Sequence, residues 1–357
     1  MKPSVRRLLA RLALLLAALA ISLGITEIAL RVILASDFAF AAELRKPQYF
    51  ADHGWDDTYW LLQDAWAREF RRPKKPHPLL GWAGPIDHAT YLHGDAEQLE
   101  GRRPVLLYGD SFSETVWQAA AFQDLWNQDP EKSRGHYLLN YGSGGYGLGQ
   151  ILLSLEKSLP NYDDPFVVFG FMTYDLHRSV LSVRIGQKPY FVLAEDELEL
   201  RGMPIDPDPE HYFSTHPPAV HSYLWRLFLH YWKDLGPARY WLRDEDEKRR
   251  YKQALNRKIL ERAKAALEGS GTRYVFLVFH PRPAFLGNLG WEDSWVRETL
   301  DELEVPYIWS VATVGEALPD ASLDELFVPE NGHPTTLFNQ VITDEIARRA
   351  NAAEAGD

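Results

Sequence analysis

The apolar positions of this chain fall into two regimes. The first 35 residues are apolar almost throughout: Leu12 to Thr26 carries no charge, and Ile28 to Ala35 is interrupted only by Arg31. Beyond residue 104, short apolar runs alternate with longer stretches of helical period. Buried strands are expected at Val105–Tyr108, Tyr137–Asn140, Phe166–Phe171, Tyr274–Phe279 and Pro306–Trp309, most of them bounded by turn residues. Leu148–Leu159 and Tyr251–Leu267 repeat apolar residues at helical spacing, and a last helix is expected over Thr335–Arg349. Strands alternating with helices predict an α/β fold with a doubly wound parallel sheet of about five strands.

Two stretches interrupt that rhythm. Residues 36–103 read as a connector with a short helix around Trp60–Phe70. Residues 182–250 form an insertion between the third and fourth strands. Within it, Pro189–Ala194 and Glu197–Leu200 bracket Glu195-Asp196 and predict a hairpin, and Ala219–Leu235 predicts an aromatic-rich helix. The insertion reads equally as a lid or substrate wall and as a surface excursion that covers core.

A membrane-spanning helix needs ~20 mostly apolar residues. Residues 12–35 reach that length, with Glu27 and Arg31 spaced to pair on one helix face. Lys2, Arg6, Arg7 and Arg11 precede the apolar run, so residues 1–11 are expected as a cytoplasmic tail and the bulk of the chain outside the cytoplasm. A cleaved signal peptide is the rival, with Ala39-Phe40-Ala41 as a small-x-small site. That site lies far from the uncharged core, with Arg31 between, so an uncleaved anchor is favoured.

Charge and composition narrow the function classes. Of the formal net charge of -12, the first 35 residues contribute +4 (Lys2, Arg6, Arg7, Arg11 and Arg31 against Glu27), leaving -16 on the rest. An acidic body is a poor nucleic-acid binder, because phosphate contacts need clustered Lys and Arg. The one basic run, Arg71-Arg72-Pro73-Lys74-Lys75-Pro76, is short and Pro-broken and reads as a solvated connector. With no cysteine there are no disulfides, no thiolate nucleophile and no Cys-ligated metal. The 12 histidines form no metal-binding pair at helical spacing, so no metal and no cofactor are expected.

Three blocks carry candidate chemistry. Gly109-Asp110-Ser111-Phe112 ends the first strand and puts a hydroxyl where open α/β sheets place their crevices; a tight turn capped by Ser111 would use the same residues. Asn140-Tyr141-Gly142-Ser143-Gly144-Gly145-Tyr146-Gly147 follows the second strand, and its glycines let backbone N–H groups face a developing oxyanion. Glu330-Asn331-Gly332-His333-Pro334 precedes the final helix, and His333 is the natural general base for Ser111. His280 and Arg282, at the end of the fourth strand, read either as contacts for an anionic or sugar substrate or as a polar strand terminus.

The order Gly-Asp-Ser, then Asn-x-Gly-x-Gly-Gly, then a carboxylate-containing turn with His-Pro resembles the SGNH/GDSL hydrolase family, bacterial membrane-anchored type, over roughly residues 104–350. The resemblance implies a flavodoxin-like sheet and chemistry on acyl esters. It makes Ser111 similar to the nucleophile and His333 to the base. Gly145 is similar to the glycine whose N–H joins that of Ser111 in the oxyanion hole, and Asp110 braces the turn with Asn140 in support. Two departures stand out. Tyr174 occupies the place of the family's oxyanion-donating Asn. Glu330 takes the place of the Asp three residues before His, and is expected to orient the imidazole, with Asn331 the alternative.

The expected layout is therefore a tail (1–11), a transmembrane anchor (12–35), a connector (36–103), a hydrolase domain (104–350) with its insertion at 182–250, and a tail (351–357). The expected function is a serine esterase or acyltransferase in the inner membrane of a bacterium. It would act outside the cytoplasm on an ester-bearing small molecule or glycan, such as acetylated envelope polysaccharide. The alternative is a non-catalytic SGNH-like protein that binds glycan or a partner in an envelope assembly.

Overall fold

A computed structural model describes residues 3–51, 54–66, 75–114, 119–232 and 244–355. Five strands form its parallel sheet: β1 (Arg103–Tyr108), β2 (His136–Asn140), β3 (Phe166–Met172), β4 (Arg273–Phe279) and β5 (Tyr307–Trp309). Their order is β2-β1-β3-β4-β5, the flavodoxin-like arrangement in which the chain reverses direction beside β1. Every expected strand is present, within one residue at each end except that β1 begins two residues earlier, at Arg103.

The strands read as continuous apolar runs because helices cover both faces of the sheet. Alternate residues divide between two cores. Leu106, Tyr108, Val167, Phe169, Phe171, Phe276 and Val278 pack on one side with Ile151, Leu155, Leu255 and Ile259 from the helices Leu148–Ser158 and Asp244–Gly269. Val105, Leu107, Val168, Val275 and Leu277 pack on the other with Val314, Phe338 and Ile342 from the helices Ser310–Ala317 and Thr336–Ala355. In the insertion, Tyr190–Ala194 and Glu197–Arg201 pair antiparallel. Their turn residues Glu195 and Asp196 have φ of 51° and 68°, which suits a two-residue hairpin.

The chain forms two compact units, residues 73–212 with 246–357 and residues 1–72 with 213–245. The second unit holds the helices α1 (Pro3–Ala35), α2 (Ala39–Leu44), α3 (Asp57–Trp66) and α4 (Tyr223–Trp232). Its core is small: Leu30, Leu34, Phe50, Leu62 and Val220. Along most of its length α1 exposes its apolar side chains, from Val5 through Val32.

This division corrects two expectations, and the last helix corrects a third. The helix foreseen at Ala219–Leu235 is α4, with residues 233–235 outside those described. Tyr223, Leu224 and Leu227 pack in the core built on Leu30 and Leu34, so the insertion is not one continuous wall but is shared between the units. The connector is likewise shared: residues up to 72 belong with α1, whereas Leu80, Trp82 and Ile86 are buried in the α/β core. Helical hydrogen bonding carries the final helix through Ala355, into the expected tail. Residues 67–70 of the expected Trp60–Phe70 helix, and 71–74 of the basic run, lie outside the described residues.

Phe169 is fully buried, with its ring centroid 4.9 Å from that of Phe276 and 6.2 Å from that of Phe171. Phe169→Ala is expected to lower stability by ~3–5 kcal/mol. Urea denaturation of the purified protein checks this; a loss below ~1 kcal/mol would mean the neighbouring rings collapse into the space.

Candidate active site

β1 ends at Tyr108, and a Cβ on Gly109 would lie 2.7 Å from that of Ser113. Only glycine lets the chain turn this sharply into the short helix Ser111–Glu114. The half-buried Ser111 stands at that turn. From the other end of the chain, His333 brings Nε2 to 3.1 Å from Ser111 Oγ. His333 Nδ1 lies 3.0 Å from Asn331 Oδ1, the same oxygen that accepts the His333 backbone N–H at 2.9 Å. An oxygen already accepting one N–H offers Nδ1 only a lone pair, so Nδ1 carries the ring proton. Nε2 is then free to accept from the serine hydroxyl.

Glu330, expected to orient the ring, does not. It is exposed, and among the described residues no hydrogen bond links it to His333; Asn331 fills the position. The reason is local. Gly332 adopts φ of 72°, and the turn is closed by the Asn331 side chain bonding two residues ahead, a habit of Asx residues. Burial pushes the imidazole pKa below its ordinary value. Asp110 and Glu114 oppose that shift, and Arg178 and Arg184 reinforce it.

Behind Ser111 lies a buried ionic cluster. Arg178 Nη1 donates to Asp110 Oδ2 at 2.9 Å, to the Tyr146 carbonyl at 3.3 Å, and to Asp175 Oδ1. Asp110 and Asp175 are fully buried. Asp110 Oδ1 accepts the Phe112 N–H at 2.9 Å, which braces the turn, and Asp175 Oδ2 accepts the Met172 N–H at 2.9 Å. Burial and the nearby Asp110 raise the Asp175 carboxyl pKa. Burial and the Arg178 charge push Arg184 down to about 9.

The Gly-rich loop is buried and tied down at several points. Asn140 Nδ2 donates to Ser113 O at 2.7 Å, and its Oδ1 accepts the Gly142 N–H at 2.9 Å. Glu114 accepts the Gly144 N–H, Trp82 Nε1 donates to Gly144 O at 3.1 Å, and the Tyr146 hydroxyl donates to Trp82 O at 2.7 Å. Gly145 has φ of 88°, and a Cβ there would meet Ile185 Cδ1 at 2.7 Å and Trp82 at 3.3 Å. Glycine here serves close packing and a left-handed backbone rather than flexibility.

Tyr174 is half-buried at the start of the helix Asp175–Arg178. Its ring lies 6.5 Å from that of His177, and burial together with Glu292 and Asp293 raises its phenol pKa, so the hydroxyl keeps its proton. His280 is buried with Nδ1 2.9 Å from Ser310 Oγ, and burial and Arg297 push its pKa down to about 3. Arg282 pairs with Asp324 at 2.5 Å. The strand terminus is therefore structural. The spacing of Asp175 and Arg178 allowed their pairing to be read from the sequence, but the reach of Arg178 to Asp110 and the Tyr146 carbonyl, and the parts played by Glu114 and Trp82, were missed. Glu114 follows Ser111 by one helical turn, which is the only signal it offered.

The 2-1-3-4-5 parallel sheet gathers Gly-Asp-Ser, the glycine loop and His-Pro at its carboxyl edge, as the resemblance to SGNH/GDSL hydrolases implies. No family model and no curated protein matches the chain. Three of the solved structures it is similar to are a lipase/acylhydrolase from Enterococcus faecalis (14% identity, 70% of this chain, 97% of that one, TM-score 0.37), a member of the lipolytic protein G-D-S-L family from Veillonella parvula (12%, 70%, 97%, 0.36) and a catalytic mutant of an acetylxylan esterase from Geobacillus stearothermophilus (13%, 69%, 93%, 0.35). At such identities and TM-scores, the topology and side chains of this chain carry the reading on their own.

Two outcomes follow from the geometry. His333 is expected to titrate below 6.5 by NMR, and Asn331→Asp to raise that pKa by ~1–3 units by placing a carboxylate beside Nδ1; an unmoved titration would remove Asn331 as the ring's partner. Arg178→Met is expected to cost ~3–5 kcal/mol at neutral pH, because it strands two buried carboxylates. Burial already raises the Asp175 carboxyl pKa and loss of the guanidinium raises it further, so the deficit measured by denaturation should narrow as pH falls and that carboxylate is neutralised.

Proposed function

We propose that this chain is a membrane-anchored, extracytoplasmic serine esterase or O-acyltransferase. The observation that carries the reading is the 3.1 Å approach of His333 Nε2 to Ser111 Oγ, within reach for proton transfer. Ser111 Oγ bonds to the acyl carbon while its proton passes to Nε2. The tetrahedral oxyanion is held by the backbone N–H groups of Ser111 and Gly145, with the protonated Tyr174 phenol as the third donor in place of an amide. As the ester C–O bond breaks, Nε2 returns the proton to the departing alcohol. Water or a sugar hydroxyl then attacks the acyl-enzyme, His333 takes its proton, and Ser111 is restored. Asn331 holds the ring in the tautomer this needs, as Asn does in some cysteine enzymes.

Anchoring by α1 is supported by its length and character: the 31 residues Val5–Ala35 contain an 18-residue stretch with a mean hydropathy of 2.4, none of it buried. Retention of α1, rather than cleavage, is supported by its wiring. Leu30 and Leu34 belong to a core, and Ala41, at the rival cleavage site, is fully buried. The basic amino terminus supports a cytoplasmic start and a body outside, in the inner membrane of a bacterium. Acetyl esters of envelope polysaccharide fit that place. The second reading, a non-catalytic glycan- or partner-binding protein, is favoured only by the Tyr in the third block.

Turnover of p-nitrophenyl acetate and labelling by a fluorophosphonate probe test the proposal. Ser111→Ala is expected to abolish both while changing stability by less than ~0.5 kcal/mol. His333→Ala is expected to cut turnover by ~10²–10⁴-fold. Equal labelling of Ser111→Ala removes Ser111 as nucleophile. A wild-type protein that neither labels nor turns over substrate favours the binding reading.

A further inference from the structure

α4 carries an aromatic face that none of the described residues covers. Trp225, Phe228 and Trp232 are 57%, 45% and 43% exposed. Their rings stack in sequence, at 5.4 Å from Trp225 to Phe228 and 5.2 Å from Phe228 to Trp232. A continuous run of exposed large rings on one helix marks an interaction surface.

The attachment of α4 identifies what that surface meets. Glu27 of α1 accepts the Ser222 hydroxyl at 2.9 Å and the backbone N–H groups of Tyr223 at 3.1 Å and Leu224 at 2.9 Å. Arg31, paired to Glu27 at 2.7 Å, donates to the carbonyls of Val220 at 3.2 Å and His221 at 2.9 Å. From Arg11 to Glu27 an α-helix rises ~24 Å, close to the ~30 Å of a bilayer's hydrocarbon core. If α1 spans, Glu27 stands at the outer boundary of the hydrocarbon. Trp225 follows directly on the residue whose N–H it accepts and shares its depth. At that depth Trp rings are favoured, because they offer the acyl chains an apolar body and the headgroups a polar edge. Arg226, exposed beside Trp225, adds a cation suited to lipid phosphate.

We infer that the exposed aromatic face of α4 lies in the headgroup region of the bilayer that α1 crosses, so that the protein holds the membrane by a span and an interfacial helix together. This rests on the reading of α1 as a span, and the test separates the two. The chain lacks cysteine, so single sites can be spin-labelled without background. Full-length W225C, F228C, A18C and E298C are reconstituted in phosphatidylethanolamine/phosphatidylglycerol vesicles, and collisions with oxygen and with a polar nickel complex are measured.

The expected result is an oxygen-to-nickel ratio at 225 and 228 several-fold above that at 298, with a depth shallower than at 18. Lipid exposure at 18 with free nickel access at 225 and 228 overturns the inference and leaves the span standing. Shielding of 225 and 228 from both reagents overturns it in favour of a protein partner or a second copy. Nickel access at 18 overturns the span and the inference with it.

Discussion

The Arg178 guanidinium is the point at which the carboxyl edge of the sheet is held together. In a parallel sheet, hydrogen bonding stops at the strand ends, and the loops that follow need another means of registry. Here the loop after β1 supplies Asp110, the loop after β2 supplies the Tyr146 carbonyl, and the loop after β3 supplies Asp175; Arg178 meets all three. Arginine suits the place because its planar fork presents several donors at fixed angles and does not lose its charge. A buried charge is costly on its own, and two carboxylates around one guanidinium leave an excess of negative charge. The second buried cation, Arg184, offsets that excess. Its own depressed pKa shows how strongly burial and Arg178 act against it.

That cluster also acts on the electrostatics of His333. A carboxylate in the third position of a triad does two things: it fixes the tautomer and it stabilises the imidazolium. Asn331 does only the first. Charge compensation for His333 falls to Asp110 and Glu114, against which Arg178 and Arg184 act in the opposite sense. The outcome is an imidazole that stays neutral at physiological pH but binds a proton less strongly than a carboxylate-backed one. In the proposed reaction such an imidazole would be always ready and would gain less on each transfer. Glu114 has a second duty, because it accepts the Gly144 N–H. The carboxylate that helps the base also fixes the loop bearing Gly145.

Much of this was legible in the sequence, for physical reasons that differ by element. The five strands announced themselves because burial on both faces demands unbroken apolar runs. The hairpin was legible because Glu195-Asp196 sits between two alternating segments. Ser111 and His333 could be paired because strand order brings one to the edge where the last loop arrives. Glu330 misled because spacing along the chain says nothing about a turn whose direction depends on the left-handed Gly332 and on the Asn331 side chain bonding forward. Its aromatic-rich run marked α4 as a helix. It could not name the helix's partner, since Leu224 and Leu227 would fit either core equally well.

Glu27 ties α1 to the unit in which it sits. A carboxylate at the end of an apolar helix is expensive unless its oxygens are satisfied. Here it accepts from Arg31, Ser222, Tyr223 and Leu224, and two of those donors are amides at the start of α4 that have no partner within their own helix. The residue that would weaken a span thus serves as a cap supplied from outside the helix it caps. Removing α1 at Ala41 would orphan those amides, take Leu30 and Leu34 out of a core with few other members, and uncover Phe50 and Val220. The unit built on α1 therefore depends on the apolar segment for its fold, which is the physical argument for a helix that stays.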